Sequence, residues 1–569
     1  MGESGGEVTG GMSREERENS EVEENSSRKD VEVVGADRGR GWLLAARDRG
    51  EALRRAAWLA ALAAVFVVAF LWRWHYASQA KIYTYDSYFY LVLGRNLRHG
   101  LHYYFIAGHP HFKFMPLYPM SIAFFNLLGM DLEFAGRFSN VFFASACIIP
   151  IYAIGALLFH RRVGLAAAAL FAFEPITTAW TMVPMSEGLF ALLVCSSICF
   201  LVCWMKKENN YWIYLTAAAA GLAMVTRWEG FFLLALLGIY GVYYCWRGKM
   251  RWRQLLLAGC VALAPFGLLM LRNWIAFGTP LKSAYLSEFS SHDTRTEVLG
   301  PASRLARYLV FGGIDPVGGT KHLAHYGYVF LGYAGLGVGL CIRRFRAGIV
   351  LITAWMLFMG PTHFIWYFVA ARFLFAAVPA LCLGAGFLLG FPWVSDGMER
   401  EHRGAVAILY VLAVCMVAVL AFTSVPFIHD SFHRDIKRLQ DDDGGLATKQ
   451  SMLWLKENAP GAVVAARSGP MPTFYLGRDV LFLGDWVFEP ADIRLDHLFE
   501  DVREKNVRYL VLHGYSPYPE DACVNAGIDP AVLANLRLVK TFAVPSDGEW
   551  TFDAYSFVFE VPGSGGAPP

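Results

Sequence analysis

The chain has 569 residues, of which 56% are hydrophobic, 15% aromatic and only 17% charged, and its mean hydropathy is +0.37. This composition lies far outside that of soluble globular proteins and indicates a polytopic membrane protein. The formal net charge of +2 is too small to suggest a polyanionic partner, so the composition excludes nucleic-acid binding.

The N-terminal segment, residues 1–52, is rich in Glu, Ser, Gly and Arg and has almost no aromatic residues. Such a segment cannot bury enough surface to offset its chain entropy, so it is predicted to be a disordered cytoplasmic tail. Arg54 and Arg55 then precede an apolar run from Ala56 to Trp74 that is long enough to span a bilayer. We predict no cleavable signal here.

The membrane topology follows from short basic clusters between apolar runs, because cytoplasmic loops are enriched in Lys and Arg. The clusters are Arg54-Arg55, His160-Arg161-Arg162, Lys206-Lys207, Arg247 to Arg253, Arg343-Arg344 with Arg346, and Arg400 with Arg403. All of them face the cytoplasm if spans lie near residues 56–75, 138–159, 164–180, 187–205, 211–226, 230–246, 255–272, 327–342, 347–361, 373–391 and 404–424. The fold class is therefore an α-helical polytopic membrane protein with about eleven transmembrane helices, its N-terminus inside and its C-terminus outside.

The run from Pro116 to Met130 does not fit that alternation, because a full crossing there would invert every later loop. It is also short for a span. We predict a re-entrant or interfacial helix on the outer side, inside a first outer loop of residues 76–137. A second, larger outer loop is predicted over residues 273–326, and the membrane domain as a whole over residues 53–427.

Residues 428–569 change character and alternate between helix-like and strand-like runs. We predict helices near 446–458 and 491–505. The predicted strands are Ala462 to Ala466, Val480 to Leu483, Val507 to His513, Leu538 to Val544 and Thr551 to Phe559. This pattern predicts a periplasmic α/β domain with a mostly parallel sheet.

Nine of the ten cysteines lie in or beside apolar segments, where cysteine behaves as a small hydrophobic residue. Only Cys523 lies in a soluble region, and one cysteine cannot form an intramolecular disulfide there. The redox compartment therefore stays open.

Asp86 is the leading candidate for a catalytic group. It lies just after the first span, among Tyr83, Tyr85, Tyr88 and Tyr90. A carboxylate near a bilayer is costly unless it is hydrated, paired or functional, and the tyrosines can frame a polar acceptor. The alternative is a hydrated Asp86 that caps a helix beginning at Ser87.

Three further carboxylates, Glu174, Glu187 and Glu229, lie at the outer ends of predicted spans. Together with Arg227 they could position a hydroxyl and a phosphate around Asp86. Each is equally explained as an ordinary charge at a helix end, and Arg227 and Glu229 as a simple ion pair.

Four cations, Lys113, Arg227, Arg272 and Arg372, are predicted near the outer ends of spans, at the depth of a lipid phosphate. Snorkelling towards headgroups is the alternative role. Arg372 is the strongest candidate, because the charge rule requires no cation on that side.

The histidines His102, His109 and His111 match no strong metal template, and interfacial histidines more often act as hydrogen-bonded structural groups. The sequence has no P-loop and no Gly-rich dinucleotide motif, and Tyr88 stands where an Asp-x-Asp pair would need its second acid. The sequence predicts no metal site and requires no cofactor. It leaves open whether the protein uses a divalent cation.

Several motifs resemble the GT-C membrane glycosyltransferases, in the bacterial branch related to protein O-mannosyltransferases and the lipid A aminoarabinose transferase. The resemblance covers residues 56–425. The motifs are Asp86 to Leu91, Arg95 to Gly100, Pro116 to Pro119, Ala135 to Asn140, Ser186 to Phe190, Thr226 to Gly230 and Ala371 to Phe373.

The resemblance implies a polyprenyl-phosphate-linked sugar donor, which an acceptor hydroxyl attacks on the outer face of a bacterial inner membrane with inversion at the anomeric carbon. It aligns Asp86 with the catalytic base. Glu187 and Glu229 are further catalytic candidates, and the predicted substrate-binding residues are Tyr85, Tyr88, Lys113, Glu174, Arg227 and Arg372.

Two departures from the family pattern leave the acceptor open between lipid, glycan and protein. Protein O-mannosyltransferases usually have Asp-Glu where this chain has Asp86-Ser87, and their Pro-Pro-Leu element is here Met115-Pro116-Leu117. A transporter or flippase of lipid-linked glycans is the alternative function, although the sequence shows neither an internal repeat nor charges at mid-membrane depth.

Overall fold

The computed structural model describes residues 51–80, 83–100, 103–106, 109–283, 323–360, 371–393, 411, 414–415, 445–467, 470–484, 492–545 and 553–562. By its internal contacts the chain divides within its first helix into Met1–Ala64 and Val65–Pro569. Of the first unit only residues 51–64, part of helix α1 (Glu51–Ala77), are described.

The described residues of the second unit up to 393 are mostly helical, and among them lies one short antiparallel strand pair, β1 (Tyr104–Ile106) and β2 (His109–Pro110). The helices after α1 are α2 (Tyr85–Arg98), α3 (Leu117–Leu127), α4 (Leu132–Ala146), α5 (Ile148–Leu158), α6 (Arg161–Ala172), α7 (Pro175–Trp180), α8 (Glu187–Lys207), α9 (Tyr211–Met224), α10 (Gly230–Trp246), α11 (Trp252–Phe277), α12 (Leu323–Cys341), α13 (Arg346–Phe358) and α14 (Val378–Gly390). A short 3₁₀ helix, Ala371–Leu374, precedes α14.

Four helical stretches among the described residues are long and apolar enough to cross a membrane: α1, the continuous run Leu132–Leu158 formed by α4 and α5, α8, and α11. A further set of shorter apolar helices completes the bundle. The helical membrane architecture is therefore confirmed, whereas the count of eleven spans and their orientation stay predictions. The predicted span 404–424 lies largely outside the described residues, as do residues 1–50 and most of the loop 273–326.

The predicted span 164–180 is not one continuous helix, because the helix that begins at Arg161 stops at Ala172 and a new one begins at Pro175. Pro175 has no amide hydrogen to donate to the preceding turn. The Glu174 carboxylate accepts a hydrogen bond of 2.7 Å from the Thr177 amide and so caps the new helix. A carboxylate cap followed by proline thus ends one helix and starts the next.

The predicted helix in the first outer loop is present as α3, which has eleven residues and is too short to cross a bilayer. Its side chains Met120, Phe124 and Leu127 are exposed. Its placement at the membrane surface stays a prediction.

Helices α12 and α14 approach each other closely at a pair of glycines. A Cβ atom on Gly335 would lie 1.8 Å from the Gly384 carbonyl oxygen, so any side chain there would force the helices apart. Small residues that let backbones approach in this way are typical of helix packing in membranes.

The C-terminal region contains a five-stranded sheet with helices on both faces. Its elements are α15 (Gly445–Asn458), β3 (Val464–Ala466), α16 (Pro470–Leu476), β4 (Leu481–Phe482), α17 (Leu498–Glu504), β5 (Tyr509–Gly514), α18 (Pro519–Asn525), a 3₁₀ helix (Pro530–Asn535), β6 (Arg537–Val544) and β7 (Ala554–Glu560). The strand order is β4-β3-β5-β7-β6. All five predicted strands are present, but the expectation of a mostly parallel sheet is wrong, because β7 pairs antiparallel with both β5 and β6.

This sheet shares a hydrophobic core with helix α2. Tyr88 and Phe89 of α2 belong to the same buried cluster as Tyr475, Phe482 and Val511. The Phe105 and Phe482 rings also stack with their centroids 5.9 Å apart. The C-terminal region therefore packs directly against the helix that carries Asp86.

Candidate active site

Asp86 and Arg372 form an ion pair across 286 residues of sequence. Asp86 lies in the first turn of α2, and Arg372 lies on the 3₁₀ helix before α14. The Arg372 Nη1 atom donates to Asp86 Oδ2 at 2.9 Å, and the two side chains are 19% and 24% exposed. The pair is thus partly exposed and not fully buried.

Two aromatic rings support the Arg372 guanidinium, whose central carbon lies 5.7 Å from the Trp180 ring centroid and 5.1 Å from that of Phe373. Burial opposes the charge on Arg372, but the carboxylates of Asp86 and Glu187 outweigh it and raise the pKa of the guanidinium. Arg372 is therefore a permanent cation held in a defined orientation.

Arg227 forms a second and more enclosed ion-pair group with Glu187 and Glu229. Its Nη1 lies 2.7 Å from Glu187 Oε1, and its Nη2 lies 2.7 Å from Glu229 Oε1. Nη1 also donates to Ser186 Oγ at 3.3 Å. Burial opposes the charge on Arg227, but the two carboxylates outweigh it and raise the pKa of the guanidinium.

The two groups form one cluster, because Phe373 lies against both guanidiniums, with Arg227 5.6 Å and Arg372 5.1 Å from its ring centroid. Three carboxylates and two guanidiniums leave one net negative charge. One oxygen of Glu187, Oε2, has no hydrogen-bond partner in the part of the chain that the structure describes. The cluster therefore brings carboxylates and guanidiniums together in one place, with one buried carboxylate oxygen that makes no hydrogen bond among the described residues.

The alternative reading of Asp86 as a helix cap is wrong. The N-cap residue of α2 is Thr84, whose side chain makes no capping hydrogen bond, and Asp86 is already within the helix. Asp86 therefore does not cap α2, and its carboxylate instead forms an ion pair with Arg372.

The structure places two of the predicted substrate-binding residues in other roles. Tyr88 is buried, and its hydroxyl contacts Tyr475 of the C-terminal region at 3.2 Å and accepts from the Tyr83 amide. Glu174 is buried as the cap of α7 and interacts electrostatically with the fully buried Arg73. Neither contact joins the cluster around Asp86. Tyr85 begins α2 one residue before Asp86 and packs edge-on against Phe89.

A separate polar group surrounds His111. Arg272 donates to the backbone oxygens of His111 and Tyr103, both at 2.7 Å, and the Phe114 amide donates to His111 Nε2 at 3.0 Å. Burial and the nearby Arg272 and Lys113 lower the pKa of His111 to about 3. His111 is therefore neutral and accepts a structural hydrogen bond. The sequence analysis had named this role as the alternative to a metal site.

A small cavity of about 20 Å³ lies beside this group, with room for about one water molecule. Its polar lining includes Tyr103, Trp228, Arg272, Asn273 and Lys282. His102 lies outside the described residues, and within the described ranges no group of three or more His, Cys, Asp or Glu side chains is arranged to hold a metal ion.

The structure adds residues that the sequence did not single out as functional. Trp180 and Phe373 support Arg372, and Ser186 links Arg227 to the Tyr90 hydroxyl, which lies 3.1 Å from Ser186 Oγ. Trp180 was hidden inside a predicted span. Phe373 directly follows Arg372 in the sequence, so this adjacency could have identified it as a residue that packs against the arginine.

Comparison with known proteins identifies the fold. A family model described as "Dolichyl-phosphate-mannose-protein mannosyltransferase" matches residues 109–270. The structure of ArnT from Cupriavidus metallidurans in the apo state matches with a TM-score of 0.60 at 15% identity, over 90% of this chain and 100% of that one. The chain has the fold of the GT-C membrane glycosyltransferases.

Two further GT-C structures are similar to the chain and contain lipid phosphates. ArnT bound to undecaprenyl phosphate matches with a TM-score of 0.59 at 14% identity, over 90% of this chain and 99% of that one. The archaeal oligosaccharyltransferase AglB from Archaeoglobus fulgidus, in complex with an inhibitory peptide and a dolichol-phosphate, matches with a TM-score of 0.52 at 13% identity, over 80% and 69%. No curated protein sequence matches the chain.

Proposed function

We propose that the chain is an inverting glycosyltransferase that moves a sugar from a polyprenyl-phosphate donor to an acceptor hydroxyl. The observation that carries the proposal is the Asp86–Arg372 pair. It places a carboxylate on helix α2 beside a cation that packs against two aromatic rings, in a chain with a GT-C fold. A similar structure that contains undecaprenyl phosphate supports the donor class.

In the proposed reaction, Arg372 binds the donor phosphate. A phosphate oxygen competes with Asp86 for the same guanidinium, because both are anions that accept charge-assisted hydrogen bonds. Donor binding therefore opens the ion pair and releases the Asp86 carboxylate for the acceptor. The pair is partly exposed and one-to-one, which suits such an exchange.

Asp86 then removes the proton of the acceptor hydroxyl as that oxygen attacks the anomeric carbon. The bond between that carbon and the phosphate oxygen breaks, and polyprenyl phosphate leaves with its negative charge beside Arg372. A single displacement of this kind inverts the anomeric centre. The main contribution of the protein is to align acceptor, sugar and phosphate.

We assign the other predicted site residues to support. Arg227 is held by two carboxylates and keeps the buried Glu187 side chain in place beside the Asp86–Arg372 pair. Lys113, which lies over the Phe114 ring, is the second proposed cation for the donor phosphate. Tyr85 is proposed to border the sugar.

We place the reaction on the periplasmic face of a bacterial inner membrane, with residues 428–569 as a periplasmic domain. The basic clusters that all fall on one side of the predicted topology support this orientation. Reporter fusions after Val425 and after Phe345 are expected to lie in opposite compartments. Fusions that report the same compartment would overturn the span count and the outer-face assignment.

The direct test of the function uses membranes from cells that express the chain. Tritiated polyprenyl-phosphate-linked hexoses and pentoses are added, and label is followed into lipid, glycan and protein fractions. We expect transfer of one sugar class into one fraction, which names the acceptor. Membranes from cells without the chain provide the control, and an equal distribution of label in both would contradict the proposal.

A further inference from the structure

Asn140 is a fully buried residue of α4 that makes three hydrogen bonds to one short segment of backbone. Its Nδ2 atom donates to the Trp180 oxygen at 3.0 Å and to the Val183 oxygen at 2.7 Å. Its Oδ1 atom accepts from the Gly188 amide at 3.2 Å. The side-chain amide thus uses both of its donor hydrogens and its acceptor on this segment.

The segment consists of residues 180–188 and joins α7 to α8, and we call it the connector. It carries three groups of the cluster described above: the Trp180 ring under Arg372, and the Ser186 and Glu187 side chains on Arg227. The Asn140 contacts lie at both ends of the connector and in its middle. Its backbone is therefore tied to α4 where its side chains meet the two arginines.

The fit between α4 and the connector is close. A Cβ atom on Gly188 would lie 2.5 Å from Asn140 Oδ1 and 2.8 Å from the Asn140 carbonyl oxygen. Only glycine allows the connector to approach α4 at this distance. An amide is also required opposite it. Aspartate offers no donor for the Trp180 and Val183 oxygens, and an apolar side chain would remove all three hydrogen bonds, two of which are buried.

We propose that Asn140 is a positioning residue for the sugar transfer, which sets the connector so that Trp180 supports Arg372 and Glu187 meets Arg227. This inference rests on the proposed function. Asn140 itself makes its contacts with backbone and reaches the reaction only through the connector. Its loss is expected to loosen the connector while the helical bundle persists.

The first test measures the connector independently of activity. In the full chain reconstituted in lipid, Asn140→Ala is expected to accelerate hydrogen exchange of the backbone amides of residues 180–188, the Gly188 amide above all. Ser145→Ala is the matched control, because Ser145 is buried on the same helix and its hydroxyl has no hydrogen-bond partner among the described residues. Unchanged exchange in the connector of Asn140→Ala would overturn the proposal.

The second test measures coupling to the site with tritiated undecaprenyl-phosphate-linked mannose as the donor. We expect Asn140→Ala to lower kcat/KM about ten- to a hundredfold. The kcat/KM of the Asn140→Ala/Glu187→Gln double variant should be no lower than that of the less active of the two single variants. Additive losses would show that Asn140 does not act through Glu187 and would contradict the proposal. Ser197→Ala removes a buried 2.9 Å bond between α8 and α9 and should lower only the melting temperature.

Gly188→Ala disturbs the same contact from the opposite side and serves if Asn140→Ala does not fold. It is expected to reproduce the faster connector exchange and the loss of rate, and a normal rate in Gly188→Ala would count against the proposal. If the wild type itself transfers no mannose, the proposed function fails for this donor. Hydrogen exchange and the binding of undecaprenyl phosphate to Asn140→Ala then still decide whether the connector serves the site.

Discussion

The two arginines of the site differ in how their charges are balanced. Arg372 and Arg227 are similarly exposed, at 19% and 14%, but their partners differ. Arg372 forms an ion pair with Asp86, which is 24% exposed, whereas Arg227 lies between two carboxylates that are only 2% and 12% exposed. A one-to-one pair near water can open when another anion arrives. A buried one-to-two group cannot lose its cation without leaving carboxylates uncompensated. This difference is why we propose that Arg372 exchanges its partner with substrate and that Arg227 gives structural support.

Arg227→Ala is expected to have the largest effect on stability. It leaves the buried Glu187 without its counter-ion, and breaking a buried pair in this way costs about 3–5 kcal/mol. Thermal unfolding in detergent or nanodiscs measures the loss. Arg508→Ala is the matched control, because its pair with Glu560 is at the surface and should change stability by about 1 kcal/mol or less. A stable Arg227→Ala protein with weakened donor binding would reverse the roles of the two arginines.

Arg372→Ala is expected to weaken donor binding more than folding. Removing charge-assisted hydrogen bonds to a phosphate costs about 1.5–3 kcal/mol, which corresponds to about a ten- to hundredfold loss of affinity. Binding of undecaprenyl phosphate to the purified protein gives the readout. Arg98→Ala serves as the control, since Arg98 donates to Asn126 and lies at the other end of α2. Unchanged affinity in Arg372→Ala would transfer the phosphate role to Lys113 and Arg272.

A third prediction concerns His111. Its ring accepts a hydrogen bond from the Phe114 amide and is neutral in the folded protein. The pKa of His111 in the folded protein is about 3, below the ordinary value of 6.5. Between these two pH values the imidazole is therefore protonated in the unfolded chain and neutral in the folded chain. This contribution to stability is complete above pH 6.5 and is lost as the pH falls from 6.5 to about 3. The slope is at most about 1.4 kcal/mol per pH unit.

His111→Gln keeps an acceptor for the Phe114 amide and removes the titrating ring. Its melting temperature is expected to fall less steeply than that of the wild type between pH 6.5 and pH 4.5. The exposed His497 offers the control substitution, His497→Gln. Parallel pH curves for the wild type and His111→Gln would show that His111 is not the group responsible.

Features set by local sequence were predictable. The five C-terminal strands, the helix after Asp86 and the helix near 117–127 follow from short-range patterns of apolar residues and turns. Arg372 was also selected as a candidate, because an arginine at the predicted outer end of a span goes against the charge rule, and its role stays a prediction. These features depend on residues only a few positions apart, which is the range over which periodicity and capping act.

Features set by tertiary contacts were not predictable in this way. No local pattern pairs Asp86 with Arg372 or Tyr88 with Tyr475, because these partners are separated by 286 and 387 residues. The antiparallel direction of β7 depends on the path of the chain from β6, and strand patterns do not encode it. The predicted span 164–180 runs across the break at Glu174, although Glu174 had itself been placed at the outer end of a span and the Glu-Pro pair indicates a helix start.

The most direct test of the central claim is the transfer rate of Asp86→Asn. Asparagine keeps the shape and a hydrogen-bond acceptor for Arg372 but cannot take up a proton at neutral pH, so turnover should fall about a hundredfold or more while folding and donor binding persist. Asp131→Asn is the matched control, because Asp131 caps α4 through the Phe134 amide and asparagine caps equally well. An Asp86→Asn protein that transfers sugar at nearly the wild-type rate would rule out Asp86 as the base.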